Sequence, residues 1–248
     1  MRSVCVLFAV MLSFPTMVYA NTGEDTHTDM KQSQSETSSE TIKEIHNGDL
    51  WRYSVNGFFA GGFRVLPLSG GLTYAVTSGA RTAPDDKVVF ALSHNLNLTG
   101  GDQPFGERGV IYFRQGKDRG LEEYGTENDG WIKKGPVQYL PGHLSPDFHE
   151  QRQFEYQNGA SEVGQINVTA EREIETAGGR YNAFKVEDIH RRTEPNGAFT
   201  RVNDTGWFVP ALGFFARGAV TIRAYDAGGR FRNFQLHGFT LEGTTVFD

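Results

Sequence analysis

The stretch Gly48-Asp49-Leu50-Trp51-Arg52-Tyr53-Ser54-Val55-Asn56 sets bulky Trp51, Tyr53 and Val55 against polar Arg52, Ser54 and Asn56. Side chains alternate between the two faces of a strand, so this period of two describes a half-buried strand rather than a helix. Leu72, Tyr74 and Val76 repeat it between Gly70-Gly71 and Gly79. Further strand-like stretches lie at Lys87–Ser93, Gly109–Arg114, Glu162–Glu175, Ala183–Arg191, Phe199–Asn203, Ala219–Tyr225 and Phe231–Glu242. Turn signals separate many of them, at Pro84-Asp85-Asp86, Asn158-Gly159, Gly178-Gly179, Pro195-Asn196-Gly197 and Asp226 through Gly229. This pattern predicts an all-β chain, a single antiparallel meander. Only Ser145–Gln153 reads as a helix, with Ser145 as cap and Pro146 in the first turn. Phe231, Phe234 and Leu236 slip by one position, as a β-bulge makes a strand do. A flat sheet of so many strands leaves open edges and broad apolar faces, so strong curvature into a half-barrel or barrel is expected.

Upstream of this body, Arg2 precedes an apolar run from Val4 to Leu12, Pro15 breaks it, and Val18-Tyr19-Ala20 follows. That is the plan of a secretory signal peptide over residues 1–20, with cleavage between Ala20 and Asn21. The run is too short to cross a bilayer, which takes about 20 apolar residues, and no later segment approaches that length. Residues 21–47 are polar, with Met30, Ile42 and Ile45 as the sizeable apolar side chains, and read as a disordered leader. A short helix near Thr41–His46 is the one local alternative. The β-rich domain is then residues 48–248.

Cys5, the one cysteine of the chain, lies inside the apolar run of the signal. The expected mature protein has neither a disulfide nor a thiolate metal site, and an acyl anchor is not expected. A disulfide-free exported domain of this size fits a bacterial periplasm. The chain carries a formal charge of −6 and has no basic tract, which disfavours nucleic acid as a partner.

Familiar catalytic signatures fail. His149-Glu150 opens like a zinc-protease helix, but Gln153 stands where the second histidine belongs. Gly159-Ala160-Ser161-Glu162-Val163 approaches a nucleophile elbow and ends in valine. His143, Asp147 and His149 are the one weak metal constellation, at a spacing that matches no defined site, and no metal or other cofactor is expected. His190-Arg191-Arg192 reads as a solvated strand end rather than an anion clamp. Glu122-Glu123 and Glu171-Arg172-Glu173 read as charged outer faces rather than as paired catalytic carboxylates. The echo of Trp51-x5-Gly57-Phe58-Phe59-Ala60 in Trp207-x5-Gly213-Phe214-Phe215-Ala216 reads as chance in a Gly- and Phe-rich chain, since its flanks differ, with an ancient duplication into two half-sheets as the alternative. Large aromatics mostly build cores. The set that would line a ligand groove is Trp51, Tyr53, Trp207, Phe208, Phe214 and Phe215.

From Gly164-Gln165-Ile166-Asn167-Val168 onward the order of features is familiar. Gly179-Arg180-Tyr181-Asn182-Ala183-Phe184-Lys185-Val186 precedes a hairpin and then Thr205-Gly206-Trp207-Phe208-Val209-Pro210-Ala211-Leu212-Gly213. These strands, with Gly48-Asp49-Leu50-Trp51-Arg52-Tyr53, resemble the TapB-like and related families of exported bacterial β-rich domains. Phe208 stands where those families commonly have tyrosine, and Phe214-Phe215 replace a small aliphatic pair. The resemblance implies a cell-envelope β-domain and supplies no catalytic residues.

The expected function is a non-enzymatic periplasmic or secreted protein that binds a lipid, another apolar or amphipathic small molecule, or an envelope protein. A periplasmic esterase or glycosidase without a contiguous motif is the first alternative, and a small outer-membrane barrel the second. Intact-mass measurement on the exported protein should give a chain beginning at Asn21; retention of Met1 would remove the cleavable signal.

Overall fold

The computed structural model describes residues 41–100, 103–176 and 179–246. The expected signal peptide and residues 21–40 of the leader lie outside them. Strands β1 (Leu50–Gly61), β2 (Arg64–Thr82), β3 (Val88–Gly100), β4 (Gln103–Gln115), β5 (Leu121–Thr126), β6 (Gly130–Trp131) and β7 (Val137–Leu140) form the first half. The second half holds β8 (His149–Glu155), β9 (Ser161–Thr176), β10 (Gly179–Thr193), β11 (Phe199–Val209), β12 (Phe214–Tyr225) and β13 (Phe231–Thr244). A 3-10 turn, Pro210–Leu212, joins β11 to β12. All belong to one antiparallel sheet in the order β6-β5-β4-β3-β2-β1-β13-β12-β11-β10-β9-β8, with β7 beside β5.

The all-β meander expected from the alternation is what forms, with one twist of topology. The first and last strands are neighbours, paired from Trp51↔Thr244 to Gly61↔Asn233. The free ends of the sheet therefore fall mid-chain, at β5–β7 and at β8. They curve together until they touch at an isolated bridge, Ile132↔Tyr156. Lys133 N–H donates to the Glu155 carbonyl and Gln157 N–H to the Trp131 carbonyl, both at 2.9 Å. The sheet is strongly curved and is not closed by a continuous ladder.

Ser145–Gln153 is not a helix. Phe148 N–H closes one turn onto the Ser145 carbonyl at 3.0 Å, and β8 then pairs with β9 from His149↔Asn167 to Glu155↔Ser161. Buried Arg152, Phe154 and Tyr156 alternate with exposed neighbours, so tertiary pairing overrides a plausible local cap. The bulge read near Phe231 is present: Tyr225 pairs with Phe231 and Ala224 with Asn233, which leaves Arg232 as the extra residue.

The ordered body begins before Gly48. Residues 42–46 form no helix, and Ile42 and Ile45 are 0% and 5% exposed. Lys43 N–H donates to the Pro210 carbonyl at 2.8 Å and Ile42 N–H to the Gly142 carbonyl at 3.2 Å. Gln115 accepts from Ile45 N–H at 3.0 Å and donates to the Lys43 carbonyl at 2.9 Å. Two isoleucines in a polar segment suffice to seat it, because the body already offers an apolar surface there. That surface comes from the same buried cluster as Leu140, Leu144 and Leu212. Gly142 is required at this end, since a Cβ would lie 1.6 Å from the Asp118 carbonyl oxygen.

Trp51 belongs to the same cluster. It is fully buried, stacks on Phe214 with centroids 4.7 Å apart, and donates its indole N–H to the Leu212 carbonyl at 3.1 Å. Pro210, which cannot extend a ladder, opens the 3-10 turn, and Gly213 ends it at φ 66°. The Trp51–Gly61 stretch is one strand, whereas Trp207–Gly218 crosses β11, the turn and β12. The sequence echo therefore has no structural counterpart.

Ile42→Ala should cost about 2–5 kcal/mol in urea unfolding, as for other buried large-to-small changes. An unchanged midpoint would return residues 41–47 to the leader.

Candidate functional site

The curved sheet encloses a cavity of about 630 Å³, inside the range of roughly 300–1,000 Å³ typical of ligand pockets. Its two sides differ in chemistry. Strands β1–β3 and β12 contribute Val55, Leu72, Leu92, Leu96, Val220 and Ile222, and Trp51, Phe214 and Phe215 line the end where β1 begins. Strands β8–β11 face them with Arg152, Glu162, Asp188, His190, Arg192 and Asp204, joined by Glu122 and Glu123 of β5.

The charged side is a direct consequence of strand parity. On β10, Asp188, His190 and Arg192 continue the face of buried Phe184 and Val186. Asp204 of β11 sits opposite Asp188 in the ladder. Arg152 of β8 shares the inward face with Phe154.

These groups form two linked sets. In the first, Arg152 Nη2 donates to both oxygens of Asp188 at 2.8 Å, and His190 Nδ1 lies 2.9 Å from Asp188 Oδ1. Burial alone would raise the Asp188 carboxyl, but the His190 hydrogen bond and the Arg152 charge outweigh it and hold the group low. The converse holds for His190: burial disfavours its charge, and the bond to Asp188 wins, so its pKa rises. The second set is built on Arg192, which bonds Asp129 and Glu194 and approaches Glu162 at 3.7 Å. Beside it, the Tyr156 hydroxyl lies 3.0 Å from Glu123 Oε1 and 3.1 Å from Glu162 Oε1. One hydroxyl has one proton to give, so both contacts are satisfied when a carboxyl supplies the second. Glu123 is the group suited to do so, because burial and then the Glu162 charge push its pKa up.

Asp204 stands apart. Burial, then the Asp188 charge, push its carboxyl up to about 7, only partly offset by His190. Among the described residues its Oδ1 has no hydrogen-bond partner, and neither does Glu122 Oε2.

The aromatic set read from the sequence divides three ways. Trp51, Phe214 and Phe215 line the cavity. Tyr53 and Phe208 are buried in the packed layer behind it, with the Tyr53 hydroxyl donating to the Phe215 carbonyl at 2.7 Å. Trp207 faces outward beneath the Arg172 guanidinium, 3.9 Å from its ring centroid. His190 and Arg192 are not a solvated strand end, nor are Glu122 and Glu123 an outer face; the parity of β10 and the curvature at β5 turn them inward. His143 and His149 are exposed, bonded to the Thr41 and Asn167 side chains respectively. Asp147 is exposed as well, and no group of three or more metal-ligating side chains forms among the described residues.

No family model and no curated protein sequence matches the chain, so the TapB-like resemblance is not carried to a family assignment. Similar solved structures include the following two. One, from Parabacteroides distasonis, is described as a lipoprotein: TM-score 0.39, 12% identity, 84% of this chain and 100% of that one. The other, from Bacteroides fragilis, is described as an exported protein of YmcC-like fold: TM-score 0.39, 10% identity, with the same coverages.

Asp204→Asn tests the electrostatics. The unfolded carboxyl ionises near pH 4 and the folded one near 7, so the native state holds the extra proton between those values. Wild-type stability should therefore fall across that window as pH rises. The asparagine variant should gain on wild type by about 4 kcal/mol between pH 4 and pH 8, read from urea midpoints. A pH-independent difference would remove Asp204 from the titrating groups.

Proposed function

We propose that the protein is a periplasmic or secreted cell-envelope binding domain that holds an amphipathic small molecule inside its curved sheet. The observation that carries this reading is the two-sided cavity, with aliphatic and aromatic side chains across from a hydrogen-bonded charged wall. An apolar tail would lie against Leu72, Leu92, Leu96 and Ile222, and a polar end would meet Asp188, Asp204 and their partners. A purely apolar ligand suits the site less well, because it would leave those groups desolvated without new partners.

The alternatives fit less well. Asp188 and His190 are of the residue types that two members of a hydrolytic triad have, but Thr126, the aliphatic hydroxyl in the lining, bonds Asp129 instead. An outer-membrane barrel needs an apolar outer band, whereas the outward positions of β10 and β12 include Lys185, Glu187, Arg191, Arg217 and Arg223.

Delipidated protein should enhance the fluorescence of an environment-sensitive apolar dye, and a lipid extract should compete it away. Val220→Trp, which places an indole in the cavity, should lower dye affinity at least about tenfold while the domain still unfolds cooperatively. Undiminished dye uptake by that variant would place binding elsewhere.

A further inference from the structure

The charged wall is unevenly supplied. Seven carboxylates line the cavity, from Glu107 on β4 to Asp204 on β11, against three arginines, Arg108, Arg152 and Arg192, and the histidines His94, His190 and His237, of which His190 is bonded to Asp188 and His94 lies beside Glu107. The arginines are already engaged: Arg152 with Asp188, Arg192 with Asp129 and Glu194, and Arg108 with Asn95. Among the described residues that line the cavity, the buried side-chain atoms without partners are the acceptors Asp204 Oδ1 and Glu122 Oε2 and one donor, Arg152 Nε, whose guanidinium is already held on Asp188. A buried carboxylate oxygen without a donor is costly, and a ligand that brings N–H donors and positive charge removes that cost. A carboxylate or phosphate head would instead add negative charge beside these groups.

We propose that the polar end of the cavity recognises a primary ammonium group, so that the ligand is a cationic amphiphile with its tail on the aliphatic wall. This rests on the amphiphile reading above and names the head group. Asp204 is the principal acceptor, with Glu122 as the second. The groups facing Asp204 are Asp188 and His190 of β10, and the phenols Tyr74 of β2 and Tyr139 of β7, whose titrations respond to its charge. An ammonium head must compete with the proton that Asp204 holds below neutrality, so affinity should rise between pH 6 and pH 8. The alkylammonium itself keeps its charge across that range.

The test is displacement of the apolar dye from the purified full-length chain by dodecylamine, dodecanol and dodecanoate, each below its aggregation threshold. Dodecylamine should displace dye at concentrations about tenfold or more below those of dodecanol, the scale of a charge-assisted hydrogen bond, and dodecanoate should be weakest. Asp204→Asn should bring the amine-to-alcohol ratio toward one, and Glu122→Gln should reduce it by a smaller factor. Equal potency of amine and alcohol on wild type, or a ratio that survives both substitutions, overturns the ammonium site while the amphiphile reading stands. Binding of neither dye nor alcohol overturns the amphiphile reading and this inference with it. Should Asp204→Asn fail to fold, the wild-type pH profile decides: an amine-to-alcohol ratio flat from pH 6 to pH 8 overturns the site.

Discussion

A sheet that meets itself at one bridge depends on side chains to stay shut. Backbone pairing across the seam is limited to the vicinity of Ile132 and Tyr156. The polar side chains around it reach from strand to strand. Arg192 ties β10 to the β5–β6 turn through Asp129, and Asn158 reaches the same aspartate at 2.9 Å. Tyr156 lies between Glu123 of β5 and Glu162 of β9. Buried ions of this kind add little net stability, since desolvation offsets their attraction, but removing one partner leaves an uncompensated charge. Their contribution is to fix where the sheet ends meet, and that placement sets the shape of the cavity.

Much of the fold was legible because alternation is a local signal. Trp51, Tyr53 and Val55 announce an inward face within five residues, and every such strand is readable alone. The same rule held information about the site. Phe184 and Val186 define the inner face of β10, and counting onward in twos reaches Asp188, His190 and Arg192. Reading those charges as a solvated end let residue type override parity. In a barrel with a polar interior, parity is the stronger guide, because a continuous ladder fixes direction whatever the side chain.

Other features were not legible because they depend on partners far away in the chain. Nothing local to Trp51 says that β1 pairs with β13, so the position of the seam could not be read. Glu122 and Glu123 precede a strand end, and β5 shifts register against β4 at Tyr112/Phe113, so simple counting fails there. Ile42 and Ile45 looked too sparse to fold by themselves. Their burial depends on Leu212 and Leu140, which arrive from distant parts of the chain.

Closure and the proposed recognition draw on the same charged wall but on different members of it. Arg192, Asp129 and Tyr156 are engaged across the seam, whereas Asp204 and Glu122 keep acceptors without partners. Those two lie on either side of the seam strands, on β11 and β5, and both line the cavity. The ligand proposed above, which supplies donors to both, would bind only the curved sheet, because in the unfolded chain β5 and β11 do not line one cavity. Such binding would then stabilise closure by mass action. On the proposed reading, the unpartnered acceptors of Asp204 and Glu122 would couple an occupied cavity to a tighter seam.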